Sequence, residues 1–139
     1  MDCLFCKIAH HEIPSLVVRE DADTLAFLDI NPRAAGHTVV IPKQHAATLL
    51  DVPREALGLF WQAVQATALQ LHTVLQPDGF TIGVNQGRCA GQAVDHLHVH
   101  IIPRWEGDGG GSIHTVVNAP PTEELAKIHE KIVQSNPKS

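Results

Sequence analysis

The sequence predicts an α+β fold: an antiparallel sheet of about five short strands, with one long helix and a short C-terminal helix. Three observations predict it. Short apolar segments are closely punctuated by turn residues, as in a run of antiparallel strands. A single long segment carries apolar residues at steps of three and four. The strands lie in groups before and after that segment and do not alternate with helices.

Residues 15–20, after Ile13-Pro14, read as the first strand, and residues 24–30 (Thr-Leu-Ala-Phe-Leu-Asp-Ile) as the second, with the turn Asp21-Ala22-Asp23 between them. Asn31-Pro32 breaks the second strand. Gly36 leads into a third, residues 37–41, closed by Pro42. The long helix begins at Pro53 after Asp51 and buries Leu57, Phe60, Trp61, Val64, Ala68, Leu71 and Leu75 on one face. Gln76-Pro77-Asp78-Gly79 stops it. Residues 80–85 and 95–102 read as the fourth and fifth strands, joined by the glycine-bearing loop 86–92. Beyond Pro103 come a glycine-rich stretch, 107–111, and a strand-like 113–117. The last helix starts near Pro121-Thr122-Glu123-Glu124, where acidic side chains suit a first turn.

The 139 residues make one domain, with its core over about 3–104 and a tail over 105–139. The chain is 44% hydrophobic and 18% charged, against about 25% charged in an average domain, which excludes a disordered tail protein. No apolar run approaches the roughly 18 residues of a membrane span. The first residues lack the zones of a signal peptide, so the expected location is the cytoplasm. A net charge of −5 argues against DNA or RNA as a partner. The ten histidines are the compositional oddity.

Three cysteines are too few for a disulfide scaffold. Cys3-Leu4-Phe5-Cys6 has no strand before it, so a metal half-site fits better than a redox pair. On spacing alone, His37 or His45 would serve equally as a further ligand. Cys89 stands alone in the glycine loop and reads as a small loop residue.

Asp95-His96-Leu97-His98-Val99-His100-Ile101-Ile102 carries the most information. On a strand, side chains alternate faces, so His96, His98 and His100 share one face while Leu97, Val99 and Ile101 enter a core. A solvated histidine face is the bland explanation. Two chemical ones compete. Either the three imidazoles chelate a catalytic zinc with an open position for water, or one imidazole is a nucleophile toward phosphorus and its neighbours position phosphate. Backbone N–H groups of Gly87 to Gly91, with side-chain donors from Asn85 and Gln92, would suit a phosphate.

The run from His96 to Ile102 resembles the signature of the histidine triad (HIT) family of nucleotide hydrolases and transferases. The resemblance extends to Phe5-Cys6-Lys7-Ile8, Glu12-Ile13-Pro14, Ala26-Phe27-Leu28-Asp29-Ile30-Asn31-Pro32, Gly36-His37-Thr38-Val39-Val40-Ile41-Pro42-Lys43-Gln44-His45, Asn85-Gln86-Gly87 and Gly91-Gln92. Arg104-Trp105-Glu106-Gly107-Asp108-Gly109 is similar to the tail of bacterial members.

The resemblance implies a HIT-like fold and a set of roles. His98 attacks the α-phosphorus of an adenosine-type nucleotide, a dinucleoside polyphosphate or a nucleoside phosphoramidate. A nucleotidyl-histidine forms, and water releases a mononucleotide such as AMP. His100 binds phosphate oxygens with Asn85, Gly91, Gln92 and the backbone at Ala93, and His37 supports the cluster. Asp29 accepts from the ribose hydroxyls. Phe5, Ile13, Phe27 and Ile30 enclose the base, although core packing predicts apolar residues there equally well. A serine common in the phosphoramidase branch is replaced by Ala93.

One structural zinc on Cys3, Cys6, His45 and His96 is implied, with no organic cofactor. A homodimer paired through the long helix and a central strand is implied too. Phe60, Trp61 and Val64 offer a patch for the partner. The alternatives are a tri-histidine zinc-dependent hydrolase and a nucleotide-binding regulatory module with little turnover.

Overall fold

The computed structural model describes residues 2–134. The chain divides between Gly109 and Gly110 into two compact units.

In the first unit, helix α1 (Leu4–Ala9) precedes strands β1 (Val17–Glu20), β2 (Thr24–Leu28) and β3 (Thr38–Pro42). Helix α2 (Arg54–Leu75) follows, then β4 (Gly79–Gly83) and β5 (Val99–Arg104). The strands form one antiparallel sheet in the order β1-β2-β3-β5-β4, so β5 inserts between β3 and β4. Insertion next to β3 puts the histidine segment near the middle of the sheet.

The two faces of the sheet have different neighbours. Ala26, Val40, Val99 and Ile101 point to α2 and pack with its Phe60, Ala63, Val64 and Leu71. Leu25, Phe27, Val39 and Ile41 point the other way and pack with Phe5, Ile8 and Ala9 of α1. Pleating and register then arrange the second face. Phe27 pairs with Val39, and Val39 with His100. Two residues on from Phe27 and two back from Val39, Asp29 and His37 come beside His100.

The elements expected in this first unit form, with shifted ends. β1 begins only at Val17, and its register slips between Val17 and Arg19. β4 stops at Gly83 where 80–85 was expected. β5 starts at Val99 instead of residue 95, because Leu97 N–H donates to the Ala46 carbonyl and His96 N–H to that of Val94, outside the ladder. The alternation survives: Leu97, Val99 and Ile101 are all in the α2-side core. Helix α1 has no counterpart among the expected elements.

The first unit runs past the expected core end at 104. Arg104 Nε donates to Asp108 at 2.7 Å and Glu106 N–H to Asp78 at 2.8 Å, tying this stretch to the start of β4. The second unit holds helix α3 (Leu125–Gln134). Its expected strand at 113–117 is instead a 3-10 turn over Ile113–Thr115, because Ser112 Oγ caps the His114 N–H and no strand pairs with it.

Candidate active site and metal centre

α1 is a single short helix that Cys3 opens: the Cys6 N–H donates to Cys3 Sγ at 3.4 Å. Spacing of three on a helical turn brings both sulfurs to one side. They meet His45, from the loop after β3, and His96. Cys3 Sγ lies 3.3 Å from His96 Nδ1, Cys6 Sγ 3.4 Å from His45 Nδ1, and the two Nδ1 atoms 3.2 Å apart. All four ligand atoms lie within 4.8 Å of one another. Zinc with bonds of about 2.3 Å to sulfur and 2.0–2.1 Å to nitrogen would set tetrahedral N–N and S–N edges of about 3.3 and 3.6 Å. The donor set and spacing fit that ion.

The tautomer fits as well. Fully buried His96 donates Nε2–H to the Pro42 carbonyl at 2.8 Å, which leaves the Nδ1 lone pair facing the sulfurs. In the bare chain, burial and the neighbouring Cys3 thiol push the Cys6 thiol up to about 11, so a cation is what would draw its proton off.

A second cluster lies beside it. His98 is buried and donates Nδ1–H to the His96 carbonyl at 2.7 Å, leaving Nε2 with a free lone pair. The ring of Phe5 meets the His98 ring edge-to-face, centroids 5.0 Å apart. On the other side, His100 lies 5.1 Å from His98 by centroids.

The next contacts fix the proton on His100. The Arg33 N–H donates to His37 Nδ1 at 3.1 Å, so His37 carries its proton on Nε2. That nitrogen is 2.9 Å from His100 Nδ1 and donates to it, which places the His100 proton on Nε2. Asp29 Oδ2 stands 3.5 Å from His37 Nε2, and its Oδ1 accepts the Asn31 N–H at 2.8 Å. Burial, then the neighbouring His98 and His37, push His100 down to about 4. Burial also lowers His37. Both rings are neutral at pH 7.

Asp29, His37 and His100 have the composition of a metal-binding group. The Arg33 N–H argues against that use, because it holds the His37 proton on the nitrogen that would have to bind.

Beyond Gly83, which pairs with His100, Gly87 and Gly91 take φ of +85° and +100°, the region that favours glycine, and bound a 3-10 turn over Arg88–Ala90. Asn85 lies exposed, its amide next to the Gly91 backbone. A cavity of about 370 Å³ opens against Asp29, Arg33 and His37.

A HIT domain model matches residues 10–107 of this chain. The chain belongs to the HIT family. Adenosine 5′-monophosphoramidase of Candida albicans is 37% identical over 134 residues, covering 94% of this chain and 88% of that protein. An adenylylsulfatase of Arabidopsis thaliana is 40% identical over 107 residues, 77% of this chain but only 54% of that protein. Among solved structures, a HIT family member from Bacillus subtilis superposes with a TM-score of 0.87 at 37% identity over the whole of both chains. A Zn-bound histidine triad protein from Mycobacterium smegmatis gives 0.73 at 39% identity, over 78% of this chain and 79% of its own.

In this HIT protein, several sequence expectations need correction. The three triad imidazoles do not converge on one metal: His96 faces the cysteines, His98 a carbonyl, and His100 His37. No metal-binding group among the described residues joins all three, so the tri-histidine zinc alternative fails. Spacing left His37 and His45 equivalent, and the structure separates them. Gln92 was expected to offer its amide to phosphate. Both amide hydrogens go instead to the Ala47 and Val94 carbonyls, at 2.8 and 3.0 Å, and Oε1 accepts the Gly87 N–H at 2.8 Å. Gln92 is a strut under the loop.

The four apolar residues expected to enclose a base are also dispersed in character. Phe5 and Phe27 are buried in the α1-side core, with Ile13 packed against it, whereas Ile30 is 90% exposed. Ala93 is exposed and brings no side-chain donor. Phe60 and Val64, expected to form a partner patch, are buried against the sheet, and Trp61 alone of the three is exposed. Sequence reading missed the groups that orient the imidazoles: the carbonyls of Pro42 and His96 and the N–H of Arg33. They are backbone atoms, and no side-chain pattern marks them.

Proposed function

We propose that this HIT protein is a nucleotide hydrolase or nucleotidyl transferase that cleaves at the α-phosphate of adenosine-type nucleotides through a nucleotidyl-His98 intermediate. One observation carries the reading: the 2.7 Å bond from His98 Nδ1–H to the His96 carbonyl. It engages Nδ1 and leaves Nε2 without a protein partner, the arrangement a nucleophile requires. The names of the Candida and Arabidopsis relatives concern an amide of adenosine monophosphate and an adenylyl sulfate, a mixed anhydride, which supports the substrate class.

In the first half-reaction, the Nε2 lone pair forms an N–P bond as the bond from the α-phosphorus to the leaving group breaks. The leaving group departs with the bonding electrons and takes a proton from solvent. His100 donates Nε2–H to a non-bridging phosphate oxygen, where charge must be balanced without a base. The loop from Gly87 to Gly91 and the Ala93 backbone supply further N–H donors, with Asn85 at the edge. Asp29 accepts from the ribose hydroxyls, and Ile13 and Ile30 border the base, with Phe5 and Phe27 buried in the α1-side core. In the second half-reaction, water oxygen bonds to phosphorus, the N–P bond breaks, and the mononucleotide leaves with one water proton passing to solvent. With alanine at position 93, no hydroxyl helps the leaving group, so anhydrides with good leaving groups suit the site better than phosphoramidates.

Cys3, Cys6, His45 and His96 would hold one zinc per chain. When bound, it supplies a closed tetrahedral cross-link, since four protein ligands fill its coordination. The reading needs no organic cofactor. The reading expects the reducing cytoplasm, where the thiols escape oxidation, and a homodimer acting on a purine nucleotide.

The test is mass spectrometry of protein quenched during turnover with diadenosine polyphosphate. An acid-labile adduct of one adenylyl group should map to His98. His98→Ala should lose the adduct and about 10³-fold or more of kcat. Product accumulating in the wild type without an adduct would overturn the covalent route.

A further inference from the structure

We infer that the Cys3–Cys6–His45–His96 centre is the positioning device for the attacking imidazole, setting the rate of nucleotidyl transfer without touching the substrate. The inference rests on the reading of His98 as nucleophile and goes beyond it.

Three groups contact the His98 ring, and two of them, unlike the flanking His100 ring, belong to or adjoin the metal centre. The first is the His96 carbonyl, which accepts Nδ1–H at 2.7 Å. His96 is immobilised through its own side chain, with Nε2 on Pro42 and Nδ1 between two sulfurs. The second is the Phe5 ring, edge-to-face with His98 at 5.0 Å and an interplanar angle of 84°. Phe5 lies between Cys3 and Cys6 in the chain, on a helix of six residues. So short a helix does not hold itself and takes its position from what docks it. α1 also docks on the sheet through Phe5, Ile8 and Ala9, so opening the centre removes the anchor at its cysteines and loosens the carbonyl and the ring together.

The phosphate and ribose contacts have a separate support. His100 is held by His37 at 2.9 Å, His37 by the Arg33 N–H, and Asp29 by the Asn31 N–H. None of these bonds passes through Cys3, Cys6, His45 or His96. Loss of the metal should accordingly slow the chemical step and spare substrate binding, a division that simple unfolding would not give.

The experiment compares the full chain loaded with zinc, stripped by a chelator, and reloaded. It also includes Phe5→Leu at full metal content. Three quantities are read: the single-turnover rate of His98 adduct formation, the affinity for AMP, and the ring N–H resonances of 15N-labelled histidine. Stripping should slow adduct formation about 10–100-fold, the range seen when outer partners of a functional ligand are lost. AMP affinity should change by less than about threefold, and reloading should restore the rate. The His98 Nδ1–H resonance should broaden on stripping while that of the His37–His100 pair persists. Phe5→Leu should slow adduct formation with zinc still bound.

Equal rates and an unchanged His98 resonance in loaded and stripped protein would overturn the coupling alone. So would a Phe5→Leu variant weakened only in nucleotide affinity, which would make Phe5 a wall of the base site. Failure of the chain to take up one zinc would overturn it too. Absence of any adduct in the zinc-loaded protein overturns the nucleophile reading, and the coupling with it.

Discussion

An imidazole does what its second nitrogen allows, and the three triad histidines show this within five residues of chain. His96 gives Nε2–H to the Pro42 carbonyl and keeps Nδ1 for the thiols. His98 gives Nδ1–H to the His96 carbonyl and keeps Nε2. His100 accepts at Nδ1 from His37 and keeps a donor at Nε2. One residue type thus yields a ring nitrogen facing two thiols, a free lone pair and a hydrogen-bond donor. The depressed affinity of His100 for protons has a stability consequence. Its pKa falls from the ordinary 6.5 to about 4 in the native protein, through burial first. Between those values the unfolded chain binds a proton that the native ring refuses, so stability falls as pH drops from 6.5 to 4. The ceiling is about 3 kcal/mol. Urea unfolding at pH 7, 5.5 and 4 should show the loss, and His100→Asn should show a shallower slope.

At the scale of elements, the glycine loop over residues 86–92 owes its shape to a side chain that looks like a ligand in the sequence. Gln92 is buried and makes three hydrogen bonds, to Gly87, Ala47 and Val94, clamping both ends of the turn over Arg88–Ala90. Gln92→Ala would leave the Ala47 and Val94 carbonyls without this partner. It should cost about 2 kcal/mol in chemical denaturation and speed amide exchange at Gly87. Equal stability with a raised KM would instead return Gln92 to direct substrate contact. Gly36 has a comparable duty at the entry to β3: at φ +85°, a Cβ there would come 2.3 Å from Leu75 Cδ1 of α2. The sequence showed Gly36 as a turn signal, and the close approach to α2 came only with the fold. Helix α1 was hidden for the opposite reason. Six residues give too little periodicity to read, and its place depends on Phe5, Ile8 and Ala9 docking on the sheet.

At the scale of the molecule, one side of the sheet is covered by α2 and its far edge is β4. Ile82, paired with the buried Ile101, is 42% exposed there, and Trp61 and Leu69 are exposed on α2. An open edge strand with apolar side chains is a surface that proteins pair or protect. The proposed homodimer uses it. Sedimentation should then give twice the 15.1 kDa chain mass, and Ile82→Lys should shift the protein to monomer. A monomer at micromolar concentration in the wild type would refute the pairing. Among the described residues no helix is long and apolar enough to cross a membrane.

By itself the sequence determined what depends on neighbours along the chain. The alternation of histidine with Leu97, Val99 and Ile101 set which side chains enter the α2-side core. The three-four spacing set α2, and Cys3-x-x-Cys6 marked a metal half-site. Each follows from local geometry, since strand and helix periods act on adjacent residues. Only the tertiary structure decided which distant groups meet. Insertion of β5 beside β3 brought His100 to His37 and left His45 to the cysteines, and spacing could not distinguish the two. The atoms that set the tautomers, in Pro42, Arg33 and His96, are main-chain groups that every residue possesses. Their partners are chosen by sheet register and loop path, and these exist only once the chain has folded.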